Sequence, residues 1–304
     1  RLQSLSRFSL DAAMKKLALT LALVAPLAAA QDWMPTSFDH TEVSPGIYYL
    51  TGVSGQMPVG ATGLLVGDEY VVLIDDSLAP LGPALLAKID ELAGQPADFV
   101  INTHVHSDHT GSNQFQAENG AIIVAHDNLR SRMKADPQQN TGPNALPVIT
   151  FSEEVTFHMN GHEVYVFHIA AAHTDGDAAI LFREANIIAT GDLLFRGMFP
   201  FIDLDSGGGV AGYKVGMQRL IDMANDETKI MPGHGPIASR ADLQKDFDML
   251  IDAEARVKAL LDKDIDEETI VVTNPLADYH DEYNWGFITT EVMTRTLIRS
   301  LTTD

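Results

Sequence analysis

Residues His104-Val105-His106-Ser107-Asp108-His109 place four ligand-type side chains within six positions, just after the short strand at 98–101, which runs into them through Asn102-Thr103. Burying so many imidazole and carboxylate groups is costly unless something compensates them, and a divalent cation does so. In an extended segment residues two apart point the same way, so His104 and His106 converge on one ion. The chain then turns at Asp108-His109-Thr110-Gly111, which lets Asp108 and His109 reach a neighbouring ion. Imidazole with carboxylate suits a borderline ion such as Zn2+. Three later segments add to the set: Ala172-His173-Thr174-Asp175-Gly176-Asp177, then Thr190-Gly191-Asp192 ending an apolar strand, then the Pro/Gly turn Met231-Pro232-Gly233-His234-Gly235. One such residue alone reads as a polar strand cap. The ordered set of His173, Asp192 and His234 behind a four-ligand cluster reads as a metal site.

Such a site needs a scaffold that ends several strands near one place. Residues 47–50, 62–66 and 70–74 read as a strand meander. Helix 81–93, introduced by Pro83 and ended by Gly94, precedes the short buried strand 98–101. A helical stretch at 111–119 leads into strand 121–125. A second strand group at 155–157, 162–168, 178–182 and 187–190 precedes helices at 210–223 and 241–261. This is an α/β chain whose chemical residues sit just after strand ends, where loops on a rigid frame carry function.

With these motifs the sequence resembles the metallo-β-lactamase superfamily, from about residue 46 to 239. The resemblance implies a four-layer αβ/βα sandwich, two mixed β-sheets flanked by helices, within one domain spanning 31–304 whose C-terminal helices begin near 239. It implies two Zn2+ per chain: His104, His106 and His173 around the first, Asp108, His109 and His234 around the second, and Asp192 bridging both. Asp108 and Asp192 are then the catalytic carboxylates, and a metal-bridging hydroxide attacks the carbonyl of a lactam, lactone, ester or thioester. No protein nucleophile is needed, in keeping with the absence of Cys and of a Gly-x-Ser-x-Gly elbow. Asp75 and Asp177 are candidates for orienting the imidazoles, with an ordinary loop cap as the alternative for each. The other six histidines (40, 126, 158, 162, 168 and 280) are read as structural.

Departures from the family's branches narrow the substrate. Common zinc β-lactamases have Cys at the Asp192 position and, three residues later, a Lys that grips the substrate carboxylate; Phe195 stands there in this chain. Phe195→Lys is thus expected to raise kcat/KM for a carboxylate-bearing cephalosporin about tenfold, and the unaltered chain to be a slow, promiscuous β-lactamase. The lactonase branch has Tyr at 195, whose hydroxyl Phe lacks. Arg196 either meets an anionic substrate or is a surface charge. Met57, Phe195, Met198, Phe199, Phe201 and Trp285 form a candidate apolar rim, or pack their loops down. The run Asp203-Leu204-Asp205-Ser206-Gly207-Gly208-Gly209 reads as flexible enough to gate the site. Two other classes stay open: a mononuclear-iron sulfur or persulfide dioxygenase, and a metal-holding relay protein without turnover.

The first 30 residues read as an upstream extension and a signal peptide. Translation is expected to start at Met14, followed by Lys15-Lys16, an apolar run at 17–25 and Ala28-Ala29-Ala30, with cleavage after Ala30. That run is too short to span a bilayer. Removing the leader leaves 16 basic and 41 acidic residues, a net charge of −25. Such a surface repels nucleic acid and anionic membranes. A periplasmic or secreted bacterial enzyme acting on a small molecule is expected, and no protein partner is legible.

Overall fold

The computed structural model describes residues 36–53, 59–136 and 142–302. The leader at 1–30 and Met57 lie outside the described residues. Chain order gives β1 (Ser37–Ser44), β2 (Ile47–Val53), β3 (Thr62–Val66), β4 (Val71–Ile74), α1 (Gly82–Ala93), β5 (Phe99–Ile101), α2 (Ser107–Thr110), α3 (Asn113–Glu118), β6 (Ile122–His126), α4 (Asp127–Ala135) and β7 (Ile149–Phe151). There follow β8 (Glu154–Met159), β9 (His162–Ile169), β10 (Asp177–Phe182), β11 (Ile187–Phe195), α5 (Val210–Met223), β12 (Lys229–His234), β13 (Ala238–Ser239), α6 (Arg240–Leu261), α7 (Glu267–Thr273), α8 (His280–Tyr283) and α9 (Thr290–Thr302).

Seven strands in the order β1 to β7 make one sheet, antiparallel up to β4 and parallel beyond it. Six make the other, in the order β13-β12-β11-β10-β9-β8, with β11 and β12 parallel and the remaining pairs antiparallel. Both sheets are mixed, as expected. Their facing sides share one core: Ile47, Val72, Ile74, Ile101 and Val124 meet Val164, Val166, Ile180, Ile187 and Met231. On the outer side of the first sheet, Val71, Leu73, Val100 and Ile123 pack on Leu85 and Ile89 of α1. Strand β4 therefore reads as an unbroken apolar run, because its two faces serve two different cores. The outer side of the second sheet, through Phe167, Ile188 and Ile230, carries α5, α6 and α9. Helix α6 starts on a capping box in which Ser239 and Asp242 each accept from the other's backbone N–H.

Four local expectations change. Residues 103–105 are bends, not an extended strand, and α2 follows at once. Strand β11 does not stop at Asp192 but runs on to Phe195, with register shifts on either side of Gly191. Gly191 has φ +50°, and a Cβ there would lie 2.4 Å from Thr103 Oγ1, so glycine is what lets the strand kink beside the metal-binding motif. His234 is the last residue of β12 rather than the tip of a turn. Helix α4 and the edge strand β1 were not apparent in the sequence. In β1 only Phe38 and Val43 are buried, so alternation is faint; α4 carries only Leu129 and Met133 to the core.

Helix α6 also buries a carboxylate, Asp246, against Gly197 N (3.0 Å) and the Tyr283 hydroxyl. Burial outweighs those hydrogen bonds and pushes its pKa up to about 6. A carboxyl raised in the folded state stabilises the fold below its ordinary pKa and loses that contribution as pH rises to about 6. Asp246→Asn should therefore gain on the unaltered chain, by up to about 3 kcal/mol, as pH rises from 4 to 7. Urea midpoints at the two pH values check this, and a constant difference would remove the strained carboxylate.

Candidate metal centre

All seven predicted side chains come together at one edge of the sandwich. They are delivered from the carboxyl ends of β5 and β12, the β9–β10 loop and the kinked part of β11, the usual place for ligands at the ends of parallel strands. Ligand atoms of His104, His106, His173 and Asp192 lie within 4.8 Å of one another, and so do those of Asp108, His109 and His234. Asp192 stands between the two groups. Its carboxylate is 3.6 Å from His104 Nε2, 3.4 Å from His173 Nε2, 3.1 Å from His109 Nε2 and 3.4 Å from His234 Nε2. Asp108 lies 3.3 Å from His234 Nε2 and 3.6 Å from His109 Nε2. His106 and Asp108 keep side-chain exposures of 15% and 22% while the other five are buried, so solvent reaches the cluster from their side.

Hydrogen bonds fix the imidazole tautomers. Thr103 Oγ1 donates to Asp75 (2.7 Å), so it accepts from His104 Nδ1 (3.0 Å). His109 Nδ1 donates to Asp75 (2.8 Å), His106 Nε2 to Asp203 (2.9 Å) and His173 Nδ1 to the Phe201 carbonyl (2.7 Å). The free nitrogens left over are His104 Nε2, His106 Nδ1, His109 Nε2 and His173 Nε2. His106 Nδ1 and His173 Nε2 then face each other at 2.8 Å as two acceptors, an arrangement that a shared cation resolves. His104 Nε2, His109 Nε2 and Asp192 Oδ1 are buried without a hydrogen-bond partner. A metal ion fits this donor set.

Charge points the same way. Burial holds His104 well below its ordinary pKa, with His109 adding to it, and holds His173 down at about 3; both rings are neutral, as ligands must be. Burial opposes ionisation of Asp192 and Asp108, yet the histidines around them win: Asp192 is held well below its ordinary value and Asp108 at about 2. Among the described residues no Lys or Arg pairs with Asp75, Asp108 or Asp192. Positive charge falls instead to His109, pushed well up against its burial by Asp192, Asp108 and Asp75, and to His234, pushed up to about 9 against its burial, chiefly by Asp192. Divalent cations would supply that charge and release both protons.

Of the two candidate orienting residues, Asp75 takes the expected part. The Asp177 carboxylate touches none of the candidate ligand rings: it accepts from the backbone N–H groups of His173 and Thr174 and so shapes the loop, while its backbone carbonyl meets His168 Nδ1. Asp203 was not anticipated as an imidazole partner. The segment 203–209, read as a gate, is tied to the His173 loop by Asp203 N to His173 O (2.9 Å), Asp175 N to Ser206 O (3.0 Å) and Gly209 N to Ala172 O (2.8 Å). Arg196 pairs with Asp242 at 2.9 Å, the surface-charge alternative. Phe195 is not a rim residue. It is 3% exposed, is the register neighbour of His234 across β11 and β12, and stacks on that ring at 4.8 Å and 7°. His234 Nδ1 has no hydrogen-bond partner, so the stack sets its ring plane. Gly233 is required beside it, because a Cβ there would lie 2.1 Å from Asp192 Oδ1. Two tyrosines brace the backbone from opposite sides: Tyr49 Oη reaches Pro232 O and Gly235 O, and Tyr213 Oη donates to Asp192 O.

These contacts alter one expectation and generate another. Phe195→Lys would bury an ammonium against His234, so it should weaken the ion held by Asp108, His109 and His234 and give no gain on carboxylate-bearing substrates. Metal analysis of the purified variant checks this, and full occupancy with faster cephalosporin turnover would restore the earlier expectation. Asp203→Ala frees His106 Nε2 and should weaken metal binding about 10- to 100-fold, read by competition with a chromophoric chelator. Unchanged affinity would reduce Asp203 to a loop residue.

Residues 58–272 match the metallo-beta-lactamase superfamily. A probable metallo-hydrolase of Methanocaldococcus jannaschii is 25% identical over 190 residues, covering 58% of this chain and 88% of that protein. A probable metallo-hydrolase of Streptococcus pyogenes is 25% identical over 189 residues, covering 58% and 78%. Among solved structures, a metallo-beta-lactamase from Pontibacter korlensis has a TM-score of 0.61 at 20% identity over 71% of this chain and 99% of its own. The FIM-1 metallo-beta-lactamase of Pseudomonas aeruginosa, in a mono-zinc form, has a TM-score of 0.61 at 18% identity over 72% and 97%. The match over residues 58–272, on a fold with two mixed sheets between helix layers, places this chain in the metallo-β-lactamase superfamily.

Proposed function

We propose that the chain is an exported hydrolase that would hold two zinc ions and cleave the carbonyl bond of a small lactam, lactone, ester or thioester with water as the nucleophile. The carrying observation is the Asp192 carboxylate, within 3.6 Å of imidazoles from both ligand groups and ionised although buried. A carboxylate so placed is suited to joining two ions, and a second group as complete as the first favours this reading over a mononuclear-iron oxygenase. The zinc-bearing structural neighbour supports the choice of metal. Export rests on the leader alone.

Bound divalent ions would supply Lewis acidity and a water acidified toward neutrality. The chain's own residues do the rest. His104, His106 and His173 would hold one ion, Asp108, His109 and His234 the other, and Asp192 both. Asp108, the more exposed of the two carboxylates, faces the open side and is placed to accept a proton from the attacking water and to orient it. The hydrogen bonds that the rings donate to Asp75, Thr103, Asp203 and the Phe201 carbonyl keep the other ring nitrogens aimed inward, so little reorganisation accompanies reaction. Phe195 lies under His234 and Arg196 is engaged by Asp242, so neither is free to grip a substrate carboxylate, and β-lactams should turn over slowly.

The purified chain is expected to hold close to two divalent ions, and Asp192→Ala or His234→Ala to lose one selectively, because the second group has two imidazoles to the first group's three. Metal analysis with a panel of ester, lactone, thioester and cephalosporin substrates tests this. A chain that binds one iron and hydrolyses nothing in the panel would replace the proposal, and an Asp192→Ala variant that keeps both ions would remove the bridge.

A further inference from the structure

Rings extend the metal cluster outward across its open side. Phe201 stacks on His106 (5.5 Å, 27°), Phe287 meets Phe201 edge-on (5.3 Å, 69°), and Trp285 meets Phe287 (5.5 Å, 66°). Trp285 in turn lies 6.1 Å from the ring of His234. The series runs from a candidate ligand of one ion to a candidate ligand of the other. Its outer members come from the segment between α8 and α9, beyond the residues that match the superfamily. Trp285 is fixed by its Nε1, which donates to Phe199 O at 2.9 Å, and Phe199 N donates to Tyr283 O at 2.8 Å. Gly286, at φ +87°, turns the chain between the two rings. Phe287 stays 61% exposed. A ring that only packed its segment down would be covered, whereas an exposed ring joined to the site offers a face to a ligand.

We infer that Phe201, Trp285 and Phe287 form an aromatic wall that selects neutral carbonyl substrates carrying an aryl or extended alkyl group. The inference rests on the hydrolytic reading above and adds its substrate class. Charge favours a neutral ligand: Arg196 is engaged by Asp242, Arg132 by Asp175, Lys245 by Glu282 and Arg299 by Asp205. The chain as a whole carries a net charge of −22, so an anionic group meets repulsion outside and an apolar surface at the wall.

The test compares the metal-loaded chain on 4-nitrophenyl hexanoate and on 4-nitrophenyl monoadipate, esters of similar length that differ by a terminal carboxylate. The expected ratio of kcat/KM is about tenfold or more in favour of the hexanoate, and Phe287→Ala should cut it about fivefold, as loss of one aromatic contact does. A second readout needs no turnover. With Trp33→Phe, Trp285 is the one tryptophan left of the two in the sequence, and 2-acetylnaphthalene should quench its fluorescence saturably, with a weaker Kd after Phe287→Ala at unchanged metal content. A ratio near one, a ratio insensitive to Phe287→Ala, or no saturable quenching overturns the wall. Saturable quenching with neither ester hydrolysed, nor any lactone, thioester or cephalosporin of the panel above, supports the wall as a binding surface and overturns the hydrolytic reading instead.

Discussion

The ionised carboxylate of Asp192, 3% exposed and ringed by four imidazoles, is the group the rest of the site is built to tolerate. A lone buried carboxylate would take up a proton. This one stays charged because His234, His109 and His104 surround it, and those rings are held in turn by hydrogen bonds or by stacking. The backbone yields to the same demand. Strand β11 slips register around Gly191, Gly233 leaves space for a carboxylate oxygen, and Tyr213 holds the Asp192 carbonyl. Local strand regularity has been given up for the position of one side chain, the kind of departure that marks functional sites.

The two sheets share this work unequally. Parallel strand ends of the first sheet present Asp75, Thr103 and the His104–His109 turn, while the second contributes His173, Asp192 and His234. Tyr49 ties the two together, reaching from β2 to the backbone around His234. The cluster is therefore only as well ordered as the core between the sheets, where Ile47, Ile74 and Met231 are almost fully buried. Rigid elements carry the candidate ligands, and a hydrogen-bonded loop, 203–209, carries one orienting carboxylate.

Phe195 illustrates how a position changes meaning with its surroundings. Compared by position, it stands where related enzymes bring a substrate-gripping cation. In three dimensions it lies under His234 in the adjoining strand, where its flat apolar face replaces a missing hydrogen bond. Arg196 likewise turns away to the cap of α6. Both facts follow from strand β11 running three residues past Asp192, which no local sequence signal announced.

The sequence by itself determined the seven candidate ligands, His104, His106, Asp108, His109, His173, Asp192 and His234, and the α/β class. Ligand types crowded into short motifs at the ends of apolar runs are a local signal, and hydrophobic periodicity is another. Tertiary structure decided what holds those ligands. Asp203 lies 97 residues from His106, Asp75 34 from His109 and the Phe201 carbonyl 28 from His173. Asp75 was legible because it closes an apolar strand; Asp203, in a Gly- and Asp-rich run, resembled a flexible loop. The wall from Trp285 and Phe287 is half legible: Trp285 stands out as an aromatic in a loop, while Phe287 carries no local signal. Which rings meet is fixed by how the C-terminal helices dock on the second sheet, a long-range contact that local periodicity does not encode.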